Sequence, residues 1–65
     1  MKLNIAKLEK MRKEKGLSRA AFSRYLSLES SVYGKIHEKD GAAVTVRTIN
    51  TMAAALKINP LLLLK

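Results

Sequence analysis

The stretch "LSRAAFSRYLSLESSVYGKI" (residues 17–36) holds two short apolar-periodic segments joined by a serine-rich junction. In the first segment, Phe22 and Leu26 recur at helical spacing. Ser18 is a favourable N-cap, so the pattern predicts a helix over "RAAFSRYL". The chain then turns at about Ser27.

The second segment has three apolar residues at helical spacing, namely Val32, Tyr33 and Ile36. Its other residues are poor helix formers. Gly34 costs about 1 kcal/mol relative to alanine in a helix interior, and Ser30 and Ser31 compete for backbone hydrogen bonds. The segment is either a loop or a helix whose outer face must be small and polar for another reason.

Three further helices are predicted, together with one loop. Residues 4–15, "NIAKLEKMRKEK", form the first helix, with Asn4 as its N-cap and Gly16 as its stop. Residues 37–45, "HEKDGAAVT", are predicted as a loop with its turn at Asp40-Gly41. Only "AVTV" within residues 43–46 alternates as a strand would.

The fourth helix is "VRTINTMAAALK", capped by Thr45 and buried through Val46, Ile49, Met52, Ala53 and Leu56. Asn59-Pro60 then starts a short fifth helix, "PLLLLK". The chain is thus predicted to be all-α, a single domain of five short helices over residues 1–65.

The charge indicates a polyanionic partner. Thirteen Lys and Arg against five Asp and Glu give the 65 residues a net charge of +8, which favours nucleic acid, an anionic membrane surface or an acidic protein. One Phe and two Tyr are few for stacking on single strands, so a duplex is preferred. Gly16, Gly41 and Pro60 interrupt the chain too often for a membrane-surface helix, and no apolar run approaches the ~20 residues of a membrane span.

Catalysis and metal binding are not expected. The acidic residues are scattered, no serine is paired with a histidine, and no glycine-rich phosphate loop follows a strand. His37 is the single histidine and cysteine is lacking, so neither a metal nor a cofactor is predicted. A small-molecule ligand is not expected either, since there is no second domain to hold one.

Helix two, a tight turn at Ser27-Leu28 and helix three have the layout of a helix-turn-helix. In that motif the second helix enters the major groove. A small outer face allows this approach, which accounts for Gly34. Ser30 and Ser31 can then bond base edges or phosphates, and Lys35 can reach a guanine or a phosphate.

Over roughly residues 3–64 the chain resembles the Cro- and phage-repressor-like (xenobiotic-response-element type) helix-turn-helix family, whose fold is lambda-repressor-like. The resemblance rests on "LEKMRKEKGLSRAAFSRYLSLESSVYGKI" and "TINTMAAALKINPLLLL". It implies a bacterial or phage transcription regulator, cytoplasmic and associated with the nucleoid. Such a protein would repress by occupying an operator in double-stranded DNA as a homodimer.

The resemblance also implies residue roles. Bases would be contacted by Ser30, Ser31 and Lys35. Phosphates would be contacted by Ser18, Arg19, Lys39 and Arg47. The core positions are Leu8, Phe22, Leu26, Leu28, Tyr33, Ile36, Ile49 and Leu56.

The chain departs from the family pattern at several positions. Ser27 replaces a turn glycine, Ser23 replaces a small residue in helix two, and Glu29 stands where a Ser, Thr or Asp cap is usual. The glutamate that normally pairs with Arg12 is replaced by His37. We therefore expect His37 to be neutral, or Glu38 to take over the pairing.

The four leucines of the tail cannot all face one core. Leu63 and Leu64 are expected to make the core contacts, which leaves Leu61 and Leu62 exposed unless they are covered. A symmetric dimer through Leu61 and Leu62 is preferred; packing onto helix one or a longer native chain are alternatives. The alternative function is an antitoxin-like or adaptor module that uses this tail to bind a partner protein.

Overall fold

The computed structural model describes residues 2–42 and 44–65. The elements in chain order are α1 (Ile5–Glu14), α2 (Arg19–Tyr25), α3 (Val32–Glu38), α4 (Val46–Leu56) and a turn of 3-10 helix (Pro60–Leu63). The described residues contain no strand, and a β-bridge pairs Leu3 with Leu64. The all-helical prediction is confirmed. The predicted fifth helix is a 3-10 turn, so the α-helices number four in the described part of the chain.

Four of these elements begin where a polar side chain caps the backbone. The Asn4, Ser18 and Thr45 side chains accept from the N–H three residues ahead, each at 3.1 Å. The Asn59 side chain accepts from the Leu61 N–H at 2.9 Å. These bonds satisfy donors that have no partner within the helix, and all four caps agree with the sequence predictions.

The core lies where the four helices meet, and its largest fully buried side chains are Leu3, Leu8, Phe22, Leu26, Tyr33, Met52 and Leu63. Leu28 and Leu56, predicted as core residues, are half-buried and pack against its edge. Val46, predicted as buried, is 60% exposed. That prediction was wrong because Val46 is the first residue of α4, beyond the region that the neighbouring helices cover.

The segment between α3 and α4 is shorter than predicted. His37 and Glu38 belong to the last turn of α3, so the loop begins only at Lys39. Its turn lies at Asp40-Gly41 as expected, and Gly41 has a φ of +79°. A Cβ atom there would lie 2.6 Å from the Leu3 carbonyl oxygen, so the close approach of the N-terminal segment requires glycine. Of the strand-like "AVTV", Ala43 lies outside the described residues and the other three form no strand.

The two ends of the chain pack together. The Leu3 N–H donates to the Gly41 carbonyl at 2.9 Å, and the Asn4 N–H donates to the Leu63 carbonyl at 2.8 Å. Lys7 Nζ donates to the Leu62 carbonyl at 2.9 Å. The tail therefore packs against the start of α1, as one of the alternatives proposed.

Candidate nucleic-acid interface

A tight connection, residues 26–31, joins α2 to α3. Ser27 has a φ of 65°, the left-handed region where the family pattern has glycine. The Leu28 N–H donates to the Ser23 carbonyl at 3.0 Å, and the Leu28 side chain packs against the core. The turn thus forms at the predicted place, although its serine is in a conformation that suits glycine better.

Ser23 joins the two helices from the inside. Its side chain is fully buried; the hydroxyl accepts from the Tyr33 N–H at 3.2 Å and donates to the Glu29 carbonyl. The Tyr33 N–H lies in the first turn of α3, where backbone donors have no partner within the helix. Ser31, at the N-cap of α3, makes no capping hydrogen bond with its side chain to any described residue. Ser23 supplies that acceptor from α2 instead.

The predictions missed this role and treated Ser23 only as a departure from the family pattern. The signal in the sequence is its position next to Phe22 and three residues before Leu26, on the apolar side of α2. A serine there must find a hydrogen-bond partner inside the protein.

The predicted base-contacting residues lie at the surface. Ser30, Ser31 and Lys35 are exposed around the beginning of α3. A Cβ atom added to Gly34 would meet no described atom within 4 Å. The packing of the described residues therefore does not require glycine at this position, and the space outside α3 is open.

The predicted phosphate-contacting residues are also exposed, namely Ser18, Arg19, Lys39 and Arg47. Lys39 lines a cavity of about 210 Å³ between α3 and the beginning of α4, together with Lys35, which is predicted to contact bases. None of the residues lining this cavity comes from α2 or from the C-terminal turn. Ser18 and Arg19 therefore lie outside it, as do the exposed Leu61 and Leu62.

A cluster of charged side chains lies between α1, α2 and α3. Arg12 Nε donates to the Glu9 carboxylate at 2.5 Å, and Arg12 Nη1 donates to the Leu17 carbonyl at 2.6 Å. Glu9 Oε1 is also 3.7 Å from Arg19 Nη2 and 3.4 Å from His37 Nε2. Glu9 therefore contacts charged or titratable side chains from three helices.

The expectation that Glu38 pairs with Arg12 was wrong, because Glu9 occupies that role from the same helix, one turn earlier. Glu38 is exposed at the end of α3. The i, i+3 spacing of Glu9 and Arg12 was available in the sequence as a signal for this pair.

The cluster shifts the pKa values of its members. The hydrogen bond from Arg12 lowers the pKa of Glu9. Burial lowers the pKa of His37 below its ordinary value of 6.5, and the charges of Arg19 and Arg12 lower it further, against the opposing effect of Glu9. This direction agrees with the expectation that His37 is neutral near pH 7.

Within residues 2–42 and 44–65, no three side chains of His, Cys, Asp or Glu lie close enough together to hold a metal ion. No helix in this part of the chain is both long and apolar enough to cross a bilayer. No protein-family model, curated protein or solved structure matches the chain.

Proposed function

We propose that the chain is a sequence-specific regulator of transcription that binds duplex DNA as a homodimer and represses by occupying an operator. In this proposal α2 and α3 act as a helix-turn-helix, with α3 in the major groove. The outer face of α3 carries the proposal. The space outside Gly34 is open, and the packing of the described residues does not require a glycine there. The neighbouring Lys35 is exposed, and the chain has a net charge of +8.

The exposed polar residues divide into two groups in this proposal. Ser30, Ser31 and Lys35 contact base edges, which gives sequence discrimination. Neutralisation of phosphates by basic side chains gives affinity without sequence preference, and it is assigned to Arg19, Lys39 and Arg47, with Ser18 as a hydrogen-bonding partner. Serine side chains are short, so DNA shape and bridging water contribute part of the specificity.

The dimer is assigned to the C-terminal tail. Leu61 is 72% exposed and Leu62 is 51% exposed, and adjacent apolar side chains at a surface favour contact with another protein. A two-fold dimer of this kind would bind half-sites about 34 Å apart, one turn of the duplex.

The same two leucines support a second candidate function, an antitoxin-like or adaptor module. In that case Leu61 and Leu62 bind a partner protein of a different kind, and DNA binding is secondary. The net charge of +8 favours the first candidate.

The first test is duplex binding over a range of salt concentrations, with a duplex selected from a random library beside a scrambled one. We expect a preference of roughly 10³-fold or more for the selected duplex. Affinity should fall steeply with salt, at a slope that reports the number of neutralised phosphates. Equal, weak binding to both duplexes would contradict DNA recognition and favour the protein-partner candidate.

The variant Gly34→Ala distinguishes an effect on the stability of α3 from an effect on DNA binding. Alanine should raise the free energy of unfolding by about 1 kcal/mol, because the added methyl group meets no described atom. The same methyl group should hold α3 away from the bases and weaken binding to the selected duplex. Stability and affinity then change in opposite directions, which a folding defect cannot produce. Raised stability with unchanged affinity would contradict the placement of α3 in the groove.

A further inference from the structure

The cavity between α3 and α4 has an apolar floor and a basic rim. One wall is a stripe of α3 residues at helical spacing, namely Val32, Lys35, Ile36 and Lys39. The opposite wall comes from the segment before α4 and from its first turn, namely Ala42, Val44, Thr45 and Thr48. The apolar floor consists of the less exposed side chains of the two walls, since Ile36 is buried and Val32 and Val44 are half-buried, while the two lysines are exposed.

The size and the opening of the cavity limit what it can hold. Its volume of about 210 Å³ is below the roughly 300–1,000 Å³ of pockets that enclose small ligands. Lys35, Lys39 and Thr45 are exposed at its edge, so it opens to solvent. Such a cavity suits one protruding apolar group, and the two ammonium groups favour an apolar group attached to a polyanion.

A thymine in duplex DNA meets both conditions. Its C5 methyl group projects into the major groove, where no other standard base presents a methyl group. The backbone phosphates beside it attract Lys39, while Lys35 reaches a neighbouring base edge. We propose that the cavity receives this methyl group against Val32 and Val44, so that each half-site contains one position at which thymine is required. This inference rests on the proposed function, and it adds an apolar specificity contact to the polar ones.

The position of that thymine follows from the helix geometry. Val32 and Lys35 are three residues apart, so their side chains lie next to each other on one side of α3, and both line the cavity. The thymine should therefore lie close to the nucleotide that Lys35 contacts.

The test uses the full chain and the selected duplex at one fixed salt concentration, and it replaces each thymine in turn by uracil. This exchange removes only the methyl group and keeps the base pairing. At one position in each half-site we expect affinity to fall about fourfold, the effect of one buried methyl group. The remaining thymines serve as internal controls and should show no loss.

The variant Val32→Ala identifies the protein side of the contact. It should bind the thymine and uracil duplexes equally at that position, while retaining its preference for the selected over the scrambled duplex. Val44→Ala changes the opposite wall of the cavity, at a residue outside any helix. It should also reduce the discrimination between thymine and uracil, and this result would show that the effect of Val32→Ala does not come from a distortion of α3.

The outcomes separate the two proposals. Preference for the selected duplex without any uracil-sensitive position would overturn the thymine contact and leave DNA recognition standing. A uracil-sensitive position whose discrimination survives both valine variants would also overturn it, and would leave the cavity to an apolar side chain of a protein partner. No preference for the selected duplex would overturn both proposals.

Discussion

Ser23 shows how one hydroxyl group can set the geometry between two helices. It is fully buried and bonds two backbone groups across the turn, the Glu29 carbonyl and the Tyr33 N–H. Removing it leaves a buried donor without a partner, which costs more than the hydrogen bond contributes. Neither backbone group is local in the sequence, so helical periodicity alone did not predict either bond.

Ser23→Ala should lower the free energy of unfolding by about 1–3 kcal/mol, because the Tyr33 N–H is then buried and unsatisfied. Urea denaturation provides the measurement. Ser30→Ala is the matched control, since Ser30 is exposed and should change stability by no more than about 0.5 kcal/mol. Equal, small effects of the two substitutions would show that Ser23 does not hold the helices together.

His37 should make stability depend on pH in the mildly acidic range. Its pKa is lowered in the folded state by burial and by Arg19 and Arg12, so the unfolded chain binds the proton more readily. The stabilisation is fully present above the ordinary pKa of 6.5 and is lost as pH falls below it, towards the lowered pKa of the folded state. Glu9 has a lowered carboxyl pKa, and its stabilisation is lost only at more acidic pH.

Denaturation from about pH 7.5 to about pH 5 should therefore show stability falling with acidification. His37→Gln, which keeps a polar side chain but cannot be protonated in this range, should remove most of the slope. A variant that keeps the full slope would assign the pH dependence to other groups.

At the scale of the elements, local signals predicted the helices well. Asn4, Ser18 and Thr45 were identified as caps because capping depends on residues only three positions apart. The end of α3 was missed because His37 and Glu38 carry no apolar signal of their own, and His37 is held in the helix by packing near Glu9 and the Tyr33 ring. Contacts between helices, such as that of Glu9 with Arg19, depend on packing that the sequence does not display.

The α2–α3 turn contains a correctable strain. Ser27 has a φ of 65°, a region that costs a residue with a Cβ atom about 1–2 kcal/mol. Ser27→Gly should therefore raise the free energy of unfolding by about 0.5–1 kcal/mol, since part of the gain is offset by the greater freedom of glycine in the unfolded chain. Thermal denaturation measures it. Ser27→Ala keeps the Cβ atom and should not raise the free energy of unfolding. An equal increase in both variants would show that the stabilisation does not come from relief of backbone strain at residue 27.

At the scale of the whole molecule, two leucines of the tail pack against the rest of the protein and the other two are exposed. Leu63 is fully buried and Leu64 is half-buried, whereas Leu61 and Leu62 are exposed. The division was predictable because a single helical turn cannot direct four consecutive side chains to one core. The sequence does not identify a partner for the exposed pair, because no residue in the tail is specific to one kind of partner.

This division allows the proposed dimer to be tested without unfolding the protein. Leu61→Glu combined with Leu62→Glu should leave the thermal stability of the monomer nearly unchanged, since both side chains already face solvent. In analytical ultracentrifugation the variant should be a monomer, because carboxylates at the two-fold contact repel one another and are costly to bury. Operator affinity should fall strongly, since each molecule then binds one half-site alone.

Leu63→Ala is the matched control in the same turn. It removes a fully buried side chain and should cost about 2–5 kcal/mol of stability, with any change in affinity following the loss of folded protein. If the double glutamate variant keeps the mass and operator affinity of the unaltered chain, the tail does not hold the dimer. The exposed leucines would then be free for a different protein partner.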